Sequence, residues 1–169
     1  MIRTLSGDIT KIKNVEAIVN AANITLLGGG GVDGAIHRAA GPQLLLECLK
    51  LKGCKVGEAK ITRAYRLPCE YIIHTVGPKW HGGQYGEQDQ LIACYYNTLT
   101  VAQKNGIRRL AFPSIATGVY RYPASEAAKV AINTIKQYMH IHKNAIEEVY
   151  FVFMDESTRE AYDQVLESR

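Results

Sequence analysis

Two asparagines, four consecutive glycines and an aspartate fall within one short stretch of this chain. It reads Asn20-Ala21-Ala22-Asn23-Ile24-Thr25-Leu26-Leu27-Gly28-Gly29-Gly30-Gly31-Val32-Asp33-Gly34. Glycine loses more conformational freedom on folding than any other residue, so a run of four is locally destabilising and asks for a cause. Val32 to Ala40 reads as a short helix that stops at Gly41-Pro42. A glycine loop entering a helix N-terminus presents unpaired N–H groups and a partial positive charge, which suits a phosphate. Asn20, Asn23 and Asp33 add side chains that hold hydroxyls and a water. Together these types and spacings point to a phosphorylated sugar.

Other phosphate motifs fit less well. Gly29-Gly30-Gly31-Val32-Asp33-Gly34 satisfies G-x-G-x-x-G, but eight residues separate it from the strand end at Asn20. A dinucleotide fold closes its turn directly after the strand and carries an acidic residue about 20 positions on, which here falls near Cys54. A triphosphate loop needs Gly-Lys-Ser/Thr at the helix start, and this chain has Gly31-Val32-Asp33. A second loop, Ser114-Ile115-Ala116-Thr117-Gly118-Val119-Tyr120-Arg121-Tyr122-Pro123, is rich in small residues. Ala116 and Gly118 let backbone N–H groups approach an anion, and Thr117 adds a hydroxyl. Two such loops facing each other suit a diphosphate.

The elements that must position these loops alternate along the chain. Strands are expected at Ile2–Leu5, Ala17–Asn20, Lys60–Ala64, Tyr71–Val76, Arg109–Pro113 and Val149–Met154. Helices are expected after Gly31, from Pro42 to a stop at Gly53, over about 88–105, over 124–140, and from a capping box at Ser157-Thr158-Arg159-Glu160. In the second helix Leu44, Leu45, Leu46, Cys48, Leu49 and Leu51 run nearly all round, which predicts deep packing. In the third, Leu91, Tyr95, Leu99 and Ala102 make one stripe. The alternation predicts one α/β domain over 1–169, with helices on both faces of a largely parallel sheet. Ligands of such sheets sit outside the carboxyl ends of strands.

Composition bounds the partners. The 169 residues are 47% hydrophobic and 21% charged, with a net charge of +4. That mild charge fits an anionic small ligand, and no lysine or arginine block argues for duplex nucleic acid. The four cysteines show no metal spacing and read as reduced thiols of a cytoplasmic protein. No apolar run reaches the roughly 18 residues of a membrane span, and the N-terminus has no signal-peptide pattern. No metal and no cofactor are expected. RNA as a partner has no motif to support it.

The carrying segments resemble the macrodomain family, in its MacroD-type branch. They are Gly7-Asp8-Ile9-Thr10, Ala17 to Asn23, Leu26 to Gly41, Ile73-His74-Thr75-Val76-Gly77-Pro78 and Ala111 to Tyr120. The likeness runs in order over nearly the full chain and is greatest to bacterial O-acetyl-ADP-ribose deacetylases. It implies a three-layer α/β/α domain with a mixed sheet that binds ADP-ribose. By the resemblance, Asp8 and the Ile9 N–H hold the adenine, and Gly30, Gly31 and Val32 line one side of the diphosphate. Ser114, with Ala116, Thr117, Gly118, Val119 and Tyr120, lines the other. Asn20 is among the ligand-binding residues, Asn23 holds the proximal ribose and is catalytic together with the carboxylate of Asp33, and Tyr120 borders that ribose. The implied reaction removes acetyl from a ribose hydroxyl, or mono-ADP-ribose from acidic side chains of proteins. The alternatives are a non-catalytic ADP-ribose reader and an RNA-associated binding domain.

Either ester cleavage needs an activated water, for which Asp33 is the base or the positioning group. A free aspartate, with pKa about 3.9, is a weak base at pH 7. A diphosphate would raise that value and a helix N-terminus would lower it. His37 and His74 read as packed structural residues, and Cys48, among leucines, is a poor nucleophile. Three positions depart from the branch: Ala116 for a serine, Arg121 for a glycine, and Met154 for an aromatic near the adenine. If the Arg121 site needs positive φ, arginine there costs about 1–2 kcal/mol, and its guanidinium is expected to face the ligand or the chain that carries it.

Overall fold

The computed structural model describes residues 1–168. Six strands form one sheet: β1 (Ile2–Ser6), β2 (Ala17–Ala21), β3 (Ala59–Arg63), β4 (Tyr71–Thr75), β5 (Arg109–Phe112) and β6 (Glu148–Phe153). Their spatial order is β1-β6-β5-β2-β4-β3. Every neighbouring pair is parallel except β3 with β4. The helices are α1 (Gly31–Ala40), α2 (Pro42–Leu51), α3 (Glu87–Lys104), α4 (Ala124–Ile141) and α5 (Glu156–Glu167). The predicted alternation and the largely parallel sheet are therefore present.

The two-residue side-chain period of the strands divides the core into two layers. Val19, Ile73, Leu110, Phe112 and Phe151 face one way, against the Leu91, Tyr95, Leu99 stripe of α3, against α4 and against Tyr162 of α5. Ile18, Ile72, Ala111 and Val152 face the other, against Ile36 and Ala40 of α1 and Leu44 and Cys48 of α2. Asn20 and His74 belong to this second face and stand side by side in the β2–β4 register. Both are fully buried.

Two elements correct the sequence expectation. On α2, Leu44 and Cys48 are buried, but Leu45, Leu46 and Leu49 are 40%, 61% and 50% exposed. The helix packs along one side only, on α1 and the edge strand β3, so apolar residues all round do not mean burial all round. α5 begins at Glu156, ahead of the expected capping box. The cap is Asp155, whose carboxylate accepts from the Ser157 N–H and the Thr158 hydroxyl and so outcompetes Ser157 for that place. A short 3₁₀ turn over Ile9–Lys11 was not expected from the sequence.

Among the described residues no helix is long and apolar enough to cross a membrane.

Candidate functional site

A cleft of about 490 Å³ opens outside the carboxyl ends of β2, β4 and β5, where parallel sheets place their ligands. Its wall takes in Ala21 at the end of β2, Ala22 and Asn23 after it, Gly29 to Asp33, Gly77 after β4, and Ser114, Ala116 and Gly118 to Tyr120 after β5. The two loops expected to face each other do so. A larger hollow of about 540 Å³ lies between α3 and α4 beside Trp80 and Tyr122. Apart from Tyr122, at the far end of the second loop, it holds none of the residues to which the sequence assigns a part in binding or chemistry.

The glycine run forms the first wall. Gly30 is the N-cap of α1 in extended conformation, and among the described residues no side chain caps this terminus. The first-turn N–H groups of α1 therefore face the cleft unpaired, with the positive end of the helix dipole behind them. Gly34 shows how tightly the loop is pressed on the helix: a Cβ there would stand 2.3 Å from the Gly29 carbonyl oxygen.

The second wall is a strained loop. Ala116 and Arg121 have φ of 69° and 64°, in the left-handed region that non-glycine residues avoid. The Tyr122 N–H donates to the Ala116 carbonyl, and the Arg121 N–H to the Gly118 carbonyl. The Trp80 N–H donates to the Tyr120 carbonyl, tying the 77–86 segment to the same loop. At Gly77 a Cβ would come within 2.9 Å of Ile115 Cγ2. Arg121 is exposed and is not on the cleft wall.

Asp33 lines the cleft from the first turn of α1. Its Oδ1 accepts from Asn20 Nδ2 at 2.9 Å, and His37 Nε2 lies 3.5 Å from the same oxygen. Oδ2 points toward Gly29, where an added Cβ would be 3.1 Å from it and 3.3 Å from Asn23 Nδ2. Asp33 and Asn23 thus converge on one spot. Burial raises the Asp33 carboxyl above its ordinary value, while the Asn20 donor and nearby His37 pull it back. Burial is the contribution that the sequence did not offer, and it makes Asp33 a better base.

Asn23 serves two ends at once. Its Oδ1 accepts from the Thr25 N–H, the Thr25 hydroxyl and the Leu26 N–H, and its Nδ2 donates to the Gly28 carbonyl. It is the turn residue that shapes the glycine loop, and it still lines the cleft.

Other sequence candidates lie off the wall. Asn20 is fully buried one layer beneath it and supports Asp33. The Thr117 hydroxyl donates to Ser114 Oγ, which in turn lies 2.8 Å from the Tyr162 hydroxyl. Asp8 and Ile9 follow β1, and Asp8 caps its own 3₁₀ turn by accepting from the Thr10 N–H and hydroxyl. Met154, after β6, is 84% exposed. His74 is the residue whose part sequence reasoning missed: it lies beneath the site, 3.1 Å from the Asn20 amide. The signal available was one histidine amid apolar strand residues, with nothing to say which strand it would meet. Among the described residues no cluster of three or more His, Cys, Asp or Glu could hold a metal.

An α/β sheet with two backbone-lined loops over its carboxyl ends, and a buried carboxylate in the cleft wall, defines a binder of anionic small molecules. Residues 19–131 match the family model described as Macro domain. The chain is 49% identical over 169 residues to an O-acetyl-ADP-ribose deacetylase of Citrobacter rodentium, covering 98% of this chain and 94% of that protein. It is 53% identical over 152 residues to the ADP-ribose glycohydrolase MACROD2 of Xenopus laevis, covering 88% of this chain but 36% of that protein. A crystal structure of the Trypanosoma brucei macrodomain in complex with ADP-ribose superposes with a TM-score of 0.92 at 41% identity, covering 98% of this chain and 68% of that one. The chain belongs to the macrodomain family.

Proposed function

We propose that this protein binds ADP-ribose in the cleft and hydrolyses esters made through its proximal ribose. The observation that carries the reading is the convergence of Asp33 and Asn23 on one spot beside Gly29 in the wall of an anion-ready cleft. A pure reader of an anionic ligand gains nothing from a buried carboxylate beside it, because like charges repel. The relatives named for deacetylase and glycohydrolase activity support the same conclusion.

In this reading the diphosphate lies between the N-terminus of α1 and the backbone of Gly118–Tyr120, with Ser114 beside it. Asp8 and Ile9 lie toward the adenine end, and Tyr120 borders the proximal ribose. Asp33 Oδ1 is engaged by Asn20, so Oδ2 is the oxygen that takes a proton from water. The water oxygen bonds to the ester carbonyl carbon, the ester C–O bond breaks, and the proton passes to the departing ribose oxygen. Acetate, or the freed carboxylate of a protein side chain, leaves with the other half. General-base assistance of this kind contributes about 10²–10⁴-fold.

Mono-ADP-ribosylated proteins as substrates and a cytoplasmic location belong to the same proposal. Four free cysteines, of which Cys48, Cys54 and Cys94 are buried with thiols pushed up to about 11, suit a reducing compartment. The test is release of acetate from O-acetyl-ADP-ribose, and of ADP-ribose from aspartate- or glutamate-linked protein. Turnover of either supports the proposal. Tight ADP-ribose binding with no release of either makes the protein a reader, and absence of both binding and turnover removes the cleft assignment.

A further inference from the structure

Beneath Asp33 runs a chain of buried polar groups in which every proton has one available place. The Thr62 hydroxyl lies 3.0 Å from the Arg63 carbonyl and 2.9 Å from His74 Nε2. A carbonyl oxygen only accepts, so the hydroxyl proton goes to Arg63, and the Thr62 oxygen accepts from Nε2–H. A neutral imidazole carries one N–H, which leaves His74 Nδ1 as an acceptor. Asn20 Nδ2 lies 3.1 Å from Nδ1 and 2.9 Å from Asp33 Oδ1, and its two protons serve one each. Asn20 Oδ1 has no hydrogen-bond partner among the described residues, so nothing else fixes which way the amide faces. Asn20, His74 and Thr62 are 0%, 0% and 2% exposed, so bulk solvent does not reach them.

We infer that His74 and Thr62 are positioning residues for Asp33: Thr62 sets the His74 tautomer, His74 sets the Asn20 amide, and the amide N–H is thereby held on Asp33 Oδ1. Resting on the hydrolytic reading, this explains why Oδ2 is the oxygen free to meet water. If Nδ1 instead carried a proton, it would draw Asn20 Oδ1 toward it. The amide would then turn oxygen against carboxylate, which disfavours the ionised form of Asp33. Asp33 is also faced by His37 from α1 and by Asn23 from the glycine loop, and Cys48 of α2 senses its charge. The His37 and His74 ring centroids are 6.5 Å apart. These neighbours are common to all the variants below.

Asparagine and glutamine separate the two ring nitrogens. His74→Asn keeps an acceptor where Nδ1 stood; His74→Gln keeps a donor where Nε2 stood and loses that acceptor. On O-acetyl-ADP-ribose, His74→Gln is expected to lose kcat by about 10- to 100-fold, the worth of one hydrogen bond to a charged group. ADP-ribose affinity stays within a few-fold, and the acid limb of the kcat/KM profile moves to higher pH. His74→Asn keeps kcat and the limb near wild type. Thr62→Val reproduces the shifted limb and Thr62→Ser restores it, which carries the test if His74→Gln does not fold.

Two NMR readouts need no turnover: the ¹⁵N spectrum of His74, expected to show Nε2–H with Nδ1 unprotonated, and the ¹³C titration of the Asp33 carboxyl. If wild type turns over no ester, the hydrolytic reading fails, while the Asp33 titration still decides the relay. An Nδ1–H tautomer in wild type, or an Asp33 titration that His74→Gln and Thr62→Val leave unmoved, overturns the inference.

Discussion

Arg121 holds a φ of 64° without the glycine that makes such a value easy. The left-handed conformation costs a non-glycine residue about 1–2 kcal/mol, whereas glycine loosens the unfolded chain by about 0.4–1 kcal/mol. Arg121→Gly is therefore expected to stabilise the protein by about 1 kcal/mol or less, read as a higher urea midpoint at unchanged slope. Loss of stability would show that the side chain makes contacts worth more than the strain. The positive φ was legible from the family pattern; the direction of the guanidinium was not. Asn23 and Asp33 were legible as chemistry from type and spacing. That Asn20 supports Asp33 from beneath was not, because it depends on which strand lies beside β2. His74 sits 54 residues further along the chain and meets Asn20 only through sheet register.

At the scale of elements, two devices keep the cleft in shape. The glycine loop is clamped onto α1 at Gly34, whose absent Cβ leaves room for the Gly29 carbonyl. Gly34→Ala forces backbone apart from backbone, and overpacking of this kind costs about 1–3 kcal/mol. Thermal denaturation should show that loss, and calorimetry a fall in ADP-ribose affinity; a variant with wild-type Tm would mean the loop yields freely. The 77–86 segment is held by Glu87, whose carboxylate accepts from the N–H groups of His81, Gly83 and Tyr85. Burial opposes its ionisation, but these N–H groups outweigh it and hold the carboxyl down at about 2. A depressed acid pKa gives stability that is present above the unfolded value, about 4.5, and lost as pH falls toward 2. Glu87→Gln should remove that part of the acid sensitivity and speed amide exchange at His81, Gly83 and Tyr85. Unchanged exchange would deny Glu87 the role. The sequence leaves this segment between an expected strand ending at Val76 and a helix expected from about 88, but does not reveal its anchor, since a glutamate in a first helical turn ordinarily needs no special explanation.

For the whole molecule, alternation of strands and helices was enough to derive a largely parallel sheet with helices on both faces. It was not enough for the strand order, nor for the exposed leucines of α2, because a periodic pattern says which residues are apolar and not what lies outside them. The buried polar ladder beneath the cleft makes the fold sensitive to acid in a second window. Burial, and then the charge of nearby His37, push His74 down to about 3. Between its unfolded value, about 6.5, and 3 the unfolded chain binds a proton that the native protein does not. Stability therefore falls with decreasing pH by at most about 1.4 kcal/mol per unit from this group. Denaturant titrations at successive pH values should show decline beginning near pH 6, above the carboxylate range, and His74→Asn should flatten it. Stability constant from pH 6.5 to 5 would mean that His74 protonates in place.

The measurement that bears most directly on the central claim pairs affinity with turnover in Asp33→Ala. If Asp33 activates water in a cleft built from backbone, ADP-ribose should bind within a few-fold of wild type. Turnover of O-acetyl-ADP-ribose should fall by about 10²–10⁴-fold. Turnover retained at the wild-type rate, or affinity lost in the same proportion as turnover, would contradict it.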